Sequence, residues 1–340
     1  MPELLLPIIM LIIGFAFLIK GGDWFVDGAS GIARRFHLPE ILIGATVVSI
    51  GTTLPEVMVS AGAALQGSGS IAYGNAIGSI ICNTSLIAAI TIAIKPSLAP
   101  RKSLILPVVF FFGAAVIYCV SAYIFNRFSL LIGIVLLLTF LAYMVTTVLR
   151  MKNSATTKDI SEEVLEATSG EDHVVESEKD GTKDSLLKDI VLLIIGAILI
   201  AFGADFLVDN AIIIAQYFGV SEKVIGLTIV ALGTSLPEFI TAITSLIKGH
   251  GSLSLGNIIG ANLFNLVLVS GAAVTISPFD LPISSLINGI NSSLIIDIPV
   301  MLLVMLILTV PTLIKQKLSR WQGILLLVIY AGFCAVQFTI

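Results

Sequence analysis

One stretch of the sequence occurs twice, and this duplication constrains the fold more than any other feature. Residues 44–56 read GATVVSIGTTLPE and residues 226–238 read GLTIVALGTSLPE, so the copies align without a gap at an offset of 182 residues. Each copy places one glutamate, Glu56 or Glu238, in an otherwise apolar segment. A carboxylate in such a segment is costly and by default indicates a functional site. Two of them, placed by duplication, predict one shared cation site.

The composition places most of the chain in lipid. Of the 340 residues, 57% are hydrophobic and 12% are charged, and the mean hydropathy is +1.07. Apolar runs of about 20 residues recur, which is the length an α-helix needs to cross the hydrocarbon core. We therefore predict an all-α polytopic membrane protein with the lipid bilayer as its partner and no nucleic-acid partner. Its ten predicted transmembrane helices are 3–20, 40–66, 70–94, 103–123, 128–149, 186–202, 222–247, 252–276, 286–312 and 321–339.

The segment 151–184 differs from the rest of the chain. It holds ten of the 22 acidic residues and four lysines, with few large apolar side chains. Such a segment cannot bury enough apolar surface to fold alone, so it is predicted to be a flexible acidic linker. It separates a first five-helix membrane repeat, 1–150, from a second five-helix repeat, 185–340. The first and sixth helices are predicted to continue beyond their spans, towards residues 35 and 217.

The basic residues predict the orientation in the membrane. The short loops on one side contain only Arg127 and Lys223, and the positive-inside rule assigns the more basic side to the cytoplasm. Both termini are then outside the cell, the linker is cytoplasmic, and the protein lies in the plasma (cell inner) membrane. Because each half has an odd number of spans, the two halves are inverted repeats, which are typical of secondary transporters. The residues of the basic side are Arg34, Arg35, Lys95, Arg101, Lys102, Arg150, Lys152, Lys248, Lys315, Lys317 and Arg320.

The duplicated motif predicts an interrupted helix. Gly51 and Pro55, like their copies Gly233 and Pro237, lie four residues apart within a span, and proline removes the hydrogen bond to the carbonyl four residues earlier. Carbonyl groups freed in lipid are tolerated only where they line a cavity or bind something. A hard cation such as Na⁺ or Ca²⁺ binds carboxylate, carbonyl and hydroxyl oxygens. The predicted oxygen donors are Thr52, Thr53, Glu56, Thr234, Ser235 and Glu238.

The following span in each half supplies a second wall. Asn75, Ser79 and Asn83 are spaced four apart and share one helical face. Their copies are Asn257, Ala261 and Asn265. We assign Asn83 and Asn265 to the site, whereas Asn75 and Asn257 either contribute to it or brace the broken helix.

This constellation resembles the calcium/cation antiporter superfamily, and within it the sodium/calcium exchanger family. The resemblance is carried by Gly44–Ala88 and Gly226–Ser270. It implies a ten-span, sodium/calcium exchanger-like fold with four ion positions, no cofactor, and Ca²⁺ and Na⁺ as the transported ions. In that family the calcium site would map to Thr52, Glu56, Thr234 and Glu238. Sodium would be held by the carbonyls of Ser49 and Ala231 and by Thr53, Ser79 and Ser235, with Asn83 and Asn265 lining the centre.

The chain departs from the family pattern at two places. Family members often have a serine at the position of Ala261 and an aspartate at Asn83 or Asn265. The predicted cavity therefore holds only two carboxylates, which balance one Ca²⁺ or about two monovalent ions, and the sodium stoichiometry stays open.

The predicted function is exchange of Ca²⁺ for Na⁺ by alternating access. Protons are an alternative counter-ion, because burial favours the neutral form of a carboxyl group, and potassium-dependent exchange is a further alternative. A passive channel fits two broken inverted repeats less well, and no nucleophile–base pair within the spans supports an enzyme. The oligomeric state is left open.

Several polar residues have weaker assignments. Asp23, Asp27, Asp205 and Asp209 recur in both halves and either attract cations or brace helix ends. Asp297 is interpreted as a helix-kink or lumen residue of unknown role. The three cysteines, Cys82, Cys119 and Cys334, are interpreted as small core residues because all lie in apolar segments.

Overall fold

The computed structural model describes residues 2–36, 38–154, 185–218, 233–283 and 286–339. Within these ranges the chain forms ten helices, most of them long and apolar. They are α1 Pro2–Arg35, α2 Glu40–Leu65, α3 Gly69–Ile94, α4 Arg101–Phe125, α5 Leu130–Ser154, α6 Ser185–Tyr217, α7 Leu236–Ile247, α8 Gly251–Ile276, α9 Ser293–Lys315 and α10 Arg320–Thr339.

The helices agree with the predicted spans. Nine of those described are long and apolar enough to cross a membrane, and α7 is a shorter apolar helix. The predicted seventh span begins at residue 222, and its first part lies outside the described residues, as does most of the predicted linker. The predicted continuation of the first and sixth helices is confirmed, since α1 reaches Arg35 and α6 reaches Tyr217.

The predicted start of the ninth span, residue 286, is wrong. Strands β3 (Leu286–Ile287) and β4 (Ile290–Asn291) form a small antiparallel hairpin there, and α9 begins only at Ser293. Asn288 and Gly289 link the strands with φ values of 52° and 82°. Asn-Gly favours a two-residue turn with positive φ at both positions, so a local turn signal overrides the apolar character of the segment.

A second pair of short strands joins the two halves at one end of the bundle. Strand β1 (Arg127–Phe128) pairs antiparallel with β2 (Phe279–Asp280). Phe128 is fully buried and packs against Phe279 and Tyr118. The loop after α4 and the loop after α8 are thereby tied together.

The duplicated segments form the centre of the bundle. In their most apolar stretches, 83% of α8, 72% of α3 and 61% of α2 is buried, compared with 22% of α1 and of α6. A large apolar core of residues from α3, α4, α5, α8 and α9 packs around them. The sequence copies are therefore shielded from lipid, while α1 and α6 lie at the periphery.

Helices α1 and α6 pack along a seam of glycines. A methyl group added at Gly14 would lie 2.9 Å from the Gly203 carbonyl oxygen, and one added at Gly21 would lie 2.9 Å from that of Gly196. Gly28 repeats the approach two turns further on, so the contacts recur every seven residues. Small residues allow membrane helices to approach closely, and the seam makes α1 and α6 one packed pair.

Candidate functional site

The two duplicated glutamates meet in the middle of the bundle. Glu56 lies on α2 and Glu238 in the first turn of α7, and both side chains are fully buried. Helices α2 and α7 face each other here, since Thr53, one turn before Glu56 on α2, bonds to Glu238. Two carboxylates at this depth repel each other and have lost their hydration, so the arrangement favours a bound cation.

The helix around the motif is interrupted in the second copy but not in the first. Thr234 and Ser235 form a turn, and α7 begins after it at Leu236. In the first copy α2 runs without a break through Pro55, so the predicted interruption is wrong there. A proline removes a single helical hydrogen bond, and the bonds on either side hold the helix together. The only irregularity in α2 is a π-helical segment upstream, Gly44–Val48.

Hydrogen bonds across the duplication join the two copies of the motif. Thr53 Oγ1 donates to Glu238 Oε1 at 3.5 Å, and Thr52 Oγ1 donates to Asn257 Oδ1 at 3.2 Å. Ser49 Oγ lies 2.9 Å from the backbone oxygen of Asn257 and 2.7 Å from that of Gly44. The predicted hydroxyl ligands Thr52 and Thr53 therefore bond to groups of the second half, and so does the hydroxyl group of Ser49.

The duplicated asparagines 75 and 257 bond to the motif helices. Asn75 Nδ2 donates to the Glu56 carbonyl oxygen at 3.1 Å and to Ser60 Oγ at 2.9 Å. Asn257 accepts from Thr52, while its own Nδ2 is buried without a partner. Asn75 thus braces α2. Asn257 braces the site through its Oδ1, and its Nδ2 group makes no hydrogen bond.

The side-chain amides of Asn83 and Asn265 have no hydrogen-bond partners among the described residues. Each is fully buried, and the nitrogen and oxygen of each side-chain amide make no hydrogen bond. Each begins a π-helical segment, Asn83–Ala88 in α3 and Asn265–Val269 in α8. Such bulges are often found at functional sites, because they redirect side chains and backbone carbonyls.

The remaining predicted ligands are partly described. Ser79 is buried on α3, and Ser235 is buried with an unpartnered hydroxyl group. Thr234 is half-buried. Ala231 lies outside the described residues.

The orphaned polar atoms define the chemistry of the site. Among the described residues, most buried side-chain oxygens and nitrogens without a hydrogen bond belong to Glu56, Glu238, Asn83, Asn265 and their neighbours. Buried polar groups in proteins are almost always paired, because each unpaired group costs free energy. A cluster of unpaired carboxylate and amide oxygens is a suitable environment for dehydrated hard cations.

Two supporting contacts were missed in the sequence. Tyr143 of α5 donates to the Ala45 carbonyl oxygen at 2.9 Å, inside the π-helical segment of α2. Asn262 Nδ2 donates to Thr84 Oγ1 at 2.7 Å and so joins α8 to α3. Asn262 has no counterpart in the first copy, where Ile80 occupies the position, so the duplication gave no signal for it.

The acidic residues outside the motif have different surroundings. Lys248 forms ion pairs with Asp27 at 2.8 Å and Asp23 at 3.4 Å. Asp297 of α9 accepts a hydrogen bond from Gln337 Nε2 at 2.7 Å. These contacts favour structural roles, and neither group lies among the orphaned atoms of the central site.

Comparison with known proteins identifies the family. A family model described as sodium/calcium exchanger protein matches residues 6–149 and 188–339, which is most of the chain. The chain belongs to the sodium/calcium exchanger family.

Full-length relatives and solved structures agree with this assignment. An uncharacterised membrane protein of Methanocaldococcus jannaschii is 34% identical over 96% of each chain. The sodium/calcium exchanger MaX1 of Methanosarcina acetivorans is 31% identical over 98% of each chain. A structure of the sodium-calcium exchanger NCX_Mj matches with a TM-score of 0.77 and 32% identity, over 98% of this chain and 99% of that one.

Membership of the family confirms the predicted class of protein. The chain is a membrane antiporter, not an enzyme, with the ten-helix inverted-repeat fold of the exchangers. Exchangers of this family use no cofactor, and they exchange cations that include Ca²⁺.

Proposed function

We propose that this exchanger moves Ca²⁺ in one direction and Na⁺ in the other, with Glu56 and Glu238 shared by both ions. The main support is that three of the four carboxylate oxygens are buried with no hydrogen bond to the described residues, and the fourth, Glu238 Oε1, accepts a bond from Thr53. Sodium is favoured as the counter-ion because the relatives MaX1 and NCX_Mj are named as sodium/calcium exchangers.

The proposed ligands follow the geometry and the duplication. Both glutamates bind Ca²⁺, with hydroxyl groups from Thr52 and Thr234. The residues proposed to help hold Na⁺ are Ser49, Thr53, Ser79, Asn83, Ala231, Ser235 and Asn265. Asn257 joins this set through its Oδ1, which accepts a hydrogen bond from Thr52 and, as an amide oxygen, has a second lone pair that can bind a cation.

The coupling mechanism follows from desolvation. With no cation bound, two ionised carboxylates would have to cross the low-dielectric centre, at a cost on the order of several kcal/mol for each ion. Ca²⁺ or monovalent cations remove this charge, so the loaded carrier switches between its two states and the empty carrier does not. Because the same carboxylates cannot serve both ions at once, the two fluxes are coupled.

Switching is proposed to occur by movement of the α1–α6 pair against the central helices. Phe25 of α1 packs over Gly51, and Val208 of α6 packs over Gly233, so each motif is covered by one member of the pair. The pair is peripheral and joined along its own glycine seam, which allows it to move as a unit. We further propose that the protein lies in the plasma membrane with both termini outside and residues 151–184 in the cytoplasm.

The counter-ion is tested by imposing one gradient at a time. Purified protein is reconstituted in liposomes, and ⁴⁵Ca²⁺ uptake is measured with an outward gradient of Na⁺, of H⁺ in sodium-free buffer, or of K⁺. We expect uptake with the Na⁺ gradient alone. Uptake driven by the pH gradient would show that protons, and not sodium, are the counter-ion at this site. Ca²⁺ flux without any counter-ion would indicate a channel.

The site is tested by neutralising each glutamate. Glu56→Gln and Glu238→Gln should each reduce Na⁺-driven uptake to the background of empty liposomes, because one carboxylate cannot compensate Ca²⁺. Asp280→Asn is the matched control, since this carboxylate is exposed on β2 and, among the described residues, pairs with Arg127 alone. Normal uptake by both glutamine variants would exclude the proposed site.

A further inference from the structure

The two ends of the bundle differ in how they hold the α1–α6 pair. At one end, the turn between α7 and α8 contains Lys248, Gly249 and His250. Lys248 Nζ lies 2.8 Å from Asp27 Oδ1, 2.9 Å from the Asp23 carbonyl oxygen and 3.4 Å from Asp23 Oδ1, all on α1. The ammonium group is thus bound to α1 at three points.

The same turn is also tied to α2. His250 Nδ1 lies 2.6 Å from Glu40 Oε1, and both side chains are largely buried. Lys248 is therefore part of a turn anchored to the central bundle, so its bond to α1 connects the peripheral pair to the central helices.

The duplication supplies an internal comparison at the opposite end. The counterparts of the turn residues are Gln66, Gly67 and Ser68, between α2 and α3. Gly67 and Gly249 have the same left-handed backbone, with φ values of 74° and 84°, so the two turns share one geometry. Gln66, however, is neutral and exposed.

The acids on α6 that correspond to Asp23 and Asp27 are not held in this way. Asp205 and Asp209 are exposed and interact with each other. No cation among the described residues pairs with either of them. Among the described residues, the α1–α6 pair is therefore bound by charge at the Lys248 end and not at the Gln66 end.

We propose that Lys248 is a positioning residue for transport: by binding Asp23 and Asp27, it favours the conformer in which the ion path is closed at the Lys248 end. This rests on the proposed alternating access. Because α1 and α6 are packed together, a bond to α1 restrains the whole pair. Because only the Lys248 end has this ion pair among the described residues, the two conformers of the carrier differ in stability although its two halves are similar in sequence.

The expected size of the effect follows from the exposure of the pair. Lys248 is 24% exposed and its two partners are 41% and 51% exposed, so solvent screens the attraction. Partly exposed ion pairs shift an equilibrium by about two- to fivefold. A ligand's apparent affinity at one face changes with the population of the conformer open to that face.

The transport arm of the test uses right-side-out and inverted vesicles, which present opposite faces to the medium. Lys248→Gln should lower the KM for Ca²⁺ at the Lys248 face by about two- to fivefold and raise it at the other face, with kcat changed less. Lys248→Arg, which keeps the charge, should restore both values. Gln66→Lys, which offers a cation to Asp205 and Asp209, should favour closure at the Gln66 end and so shift the two KM values in the same direction as Lys248→Gln. Equal changes at both faces would overturn the proposal.

The second arm needs no transport. Hydrogen–deuterium exchange of the protein in lipid nanodiscs should be faster in Lys248→Gln over residues 20–30 and 244–251, and unchanged over 60–70. Asp27→Asn removes the other partner of the ion pair with Lys248 and should give the same exchange pattern. This variant replaces Lys248→Gln in the test if Lys248→Gln fails to fold. Unchanged exchange in both variants would refute the Lys248 contact. Absent transport in the unmodified chain would instead refute the proposed function.

Discussion

Two carboxyl groups and two amides set the charge of the site. In the proposed site, Glu56 and Glu238 would together balance one Ca²⁺, and the buried amides of Asn83 and Asn265 would add oxygens without adding charge. The amide oxygens can replace water around an ion, but they cannot offset a third positive charge. We therefore predict that the neutrality of these two residues limits how many monovalent ions can replace one Ca²⁺.

Adding a carboxylate at the centre should slow calcium transport. In Asn265→Asp, the site with Ca²⁺ bound keeps one uncompensated negative charge, so we expect initial ⁴⁵Ca²⁺ uptake several-fold slower at neutral pH. Uptake should recover partly at acidic pH, where the new carboxyl group binds a proton. Asn126→Asp, in the loop after α4 and away from the site, is the control and should match the unmodified protein at both pH values. Faster uptake by Asn265→Asp at neutral pH would contradict the charge argument.

The bond between Thr53 and Glu238 should contribute to calcium affinity. Thr53→Val keeps the shape of the side chain but removes the donor to a buried carboxylate, a loss of about 1 kcal/mol and hence about fivefold in KM for Ca²⁺. Thr53→Ser should retain near-normal affinity. Thr139→Val removes a hydroxyl group that bonds only within α5, to the Val135 carbonyl oxygen, and controls for the substitution itself. If Thr53→Val and Thr139→Val have the same KM, the hydroxyl of Thr53 has no role in ion binding.

At the scale of helices, the glycine seam fixes the distance between α1 and α6. A side chain at Gly21 would press on the backbone of α6, and backbone cannot move aside as a flexible side chain can. Overpacking of this kind typically costs about 1–3 kcal/mol. The seam therefore limits the pair to motions in which its two helices travel together.

Gly21→Ala should accordingly lower thermal stability and transport. We expect a fall in melting temperature of several degrees in detergent, together with slower ⁴⁵Ca²⁺ uptake in liposomes. Gly113→Ala is the matched control, because nothing lies within 4 Å of a methyl group added to this helical glycine of α4. It should be neutral or stabilise by up to about 1 kcal/mol. A Gly21→Ala protein as stable as the Gly113→Ala protein would show that the seam tolerates separation.

The helices were largely predictable, and the exceptions have local causes. Apolar length and the duplicated motif located the membrane helices and the pair of glutamates, because both signals are repeated along the chain. The hairpin at Asn288 was missed because Leu286, Ile287 and Ile290 extend the apolar run of α9 towards the N-terminus. The unbroken helix through Pro55 was missed because the helical hydrogen bonds on either side of the proline outweigh the one that it removes. The contacts of Asn262 and Tyr143 depend on helix packing, which no periodicity in the sequence reveals.

At the scale of the molecule, the two halves are held together by contacts between helices and by one pair of short strands. The site bonds, the α1–α6 seam and the pairing of β1 with β2 all connect one half to the other. None of these contacts uses residues 155–184. We therefore predict that a covalent link between the halves is unnecessary for transport once the protein has folded.

A protease site inserted within residues 155–184 tests this. After cleavage, the two fragments should remain associated in mild detergent and retain ⁴⁵Ca²⁺ uptake within about twofold, since contacts far from the cut are independent of it. The protease should act on inverted vesicles and not on right-side-out ones, which also tests the predicted cytoplasmic location. An insertion that is left uncut serves as the control. Loss of uptake on cleavage alone would assign the segment a direct role.

The hydrogen bonds of Thr52 and Thr53 to the opposite half have a consequence for the origin of this architecture. Neither half holds a complete set of partners, so an ancestral chain of half the length could not have worked as a monomer. It would have needed a second copy inserted in the opposite orientation in the same membrane. Its sequence would therefore have had to insert in both orientations. Fusion of two such genes would remove this requirement and leave each half free to diverge, and positions 66 and 248 now carry the unlike residues Gln66 and Lys248.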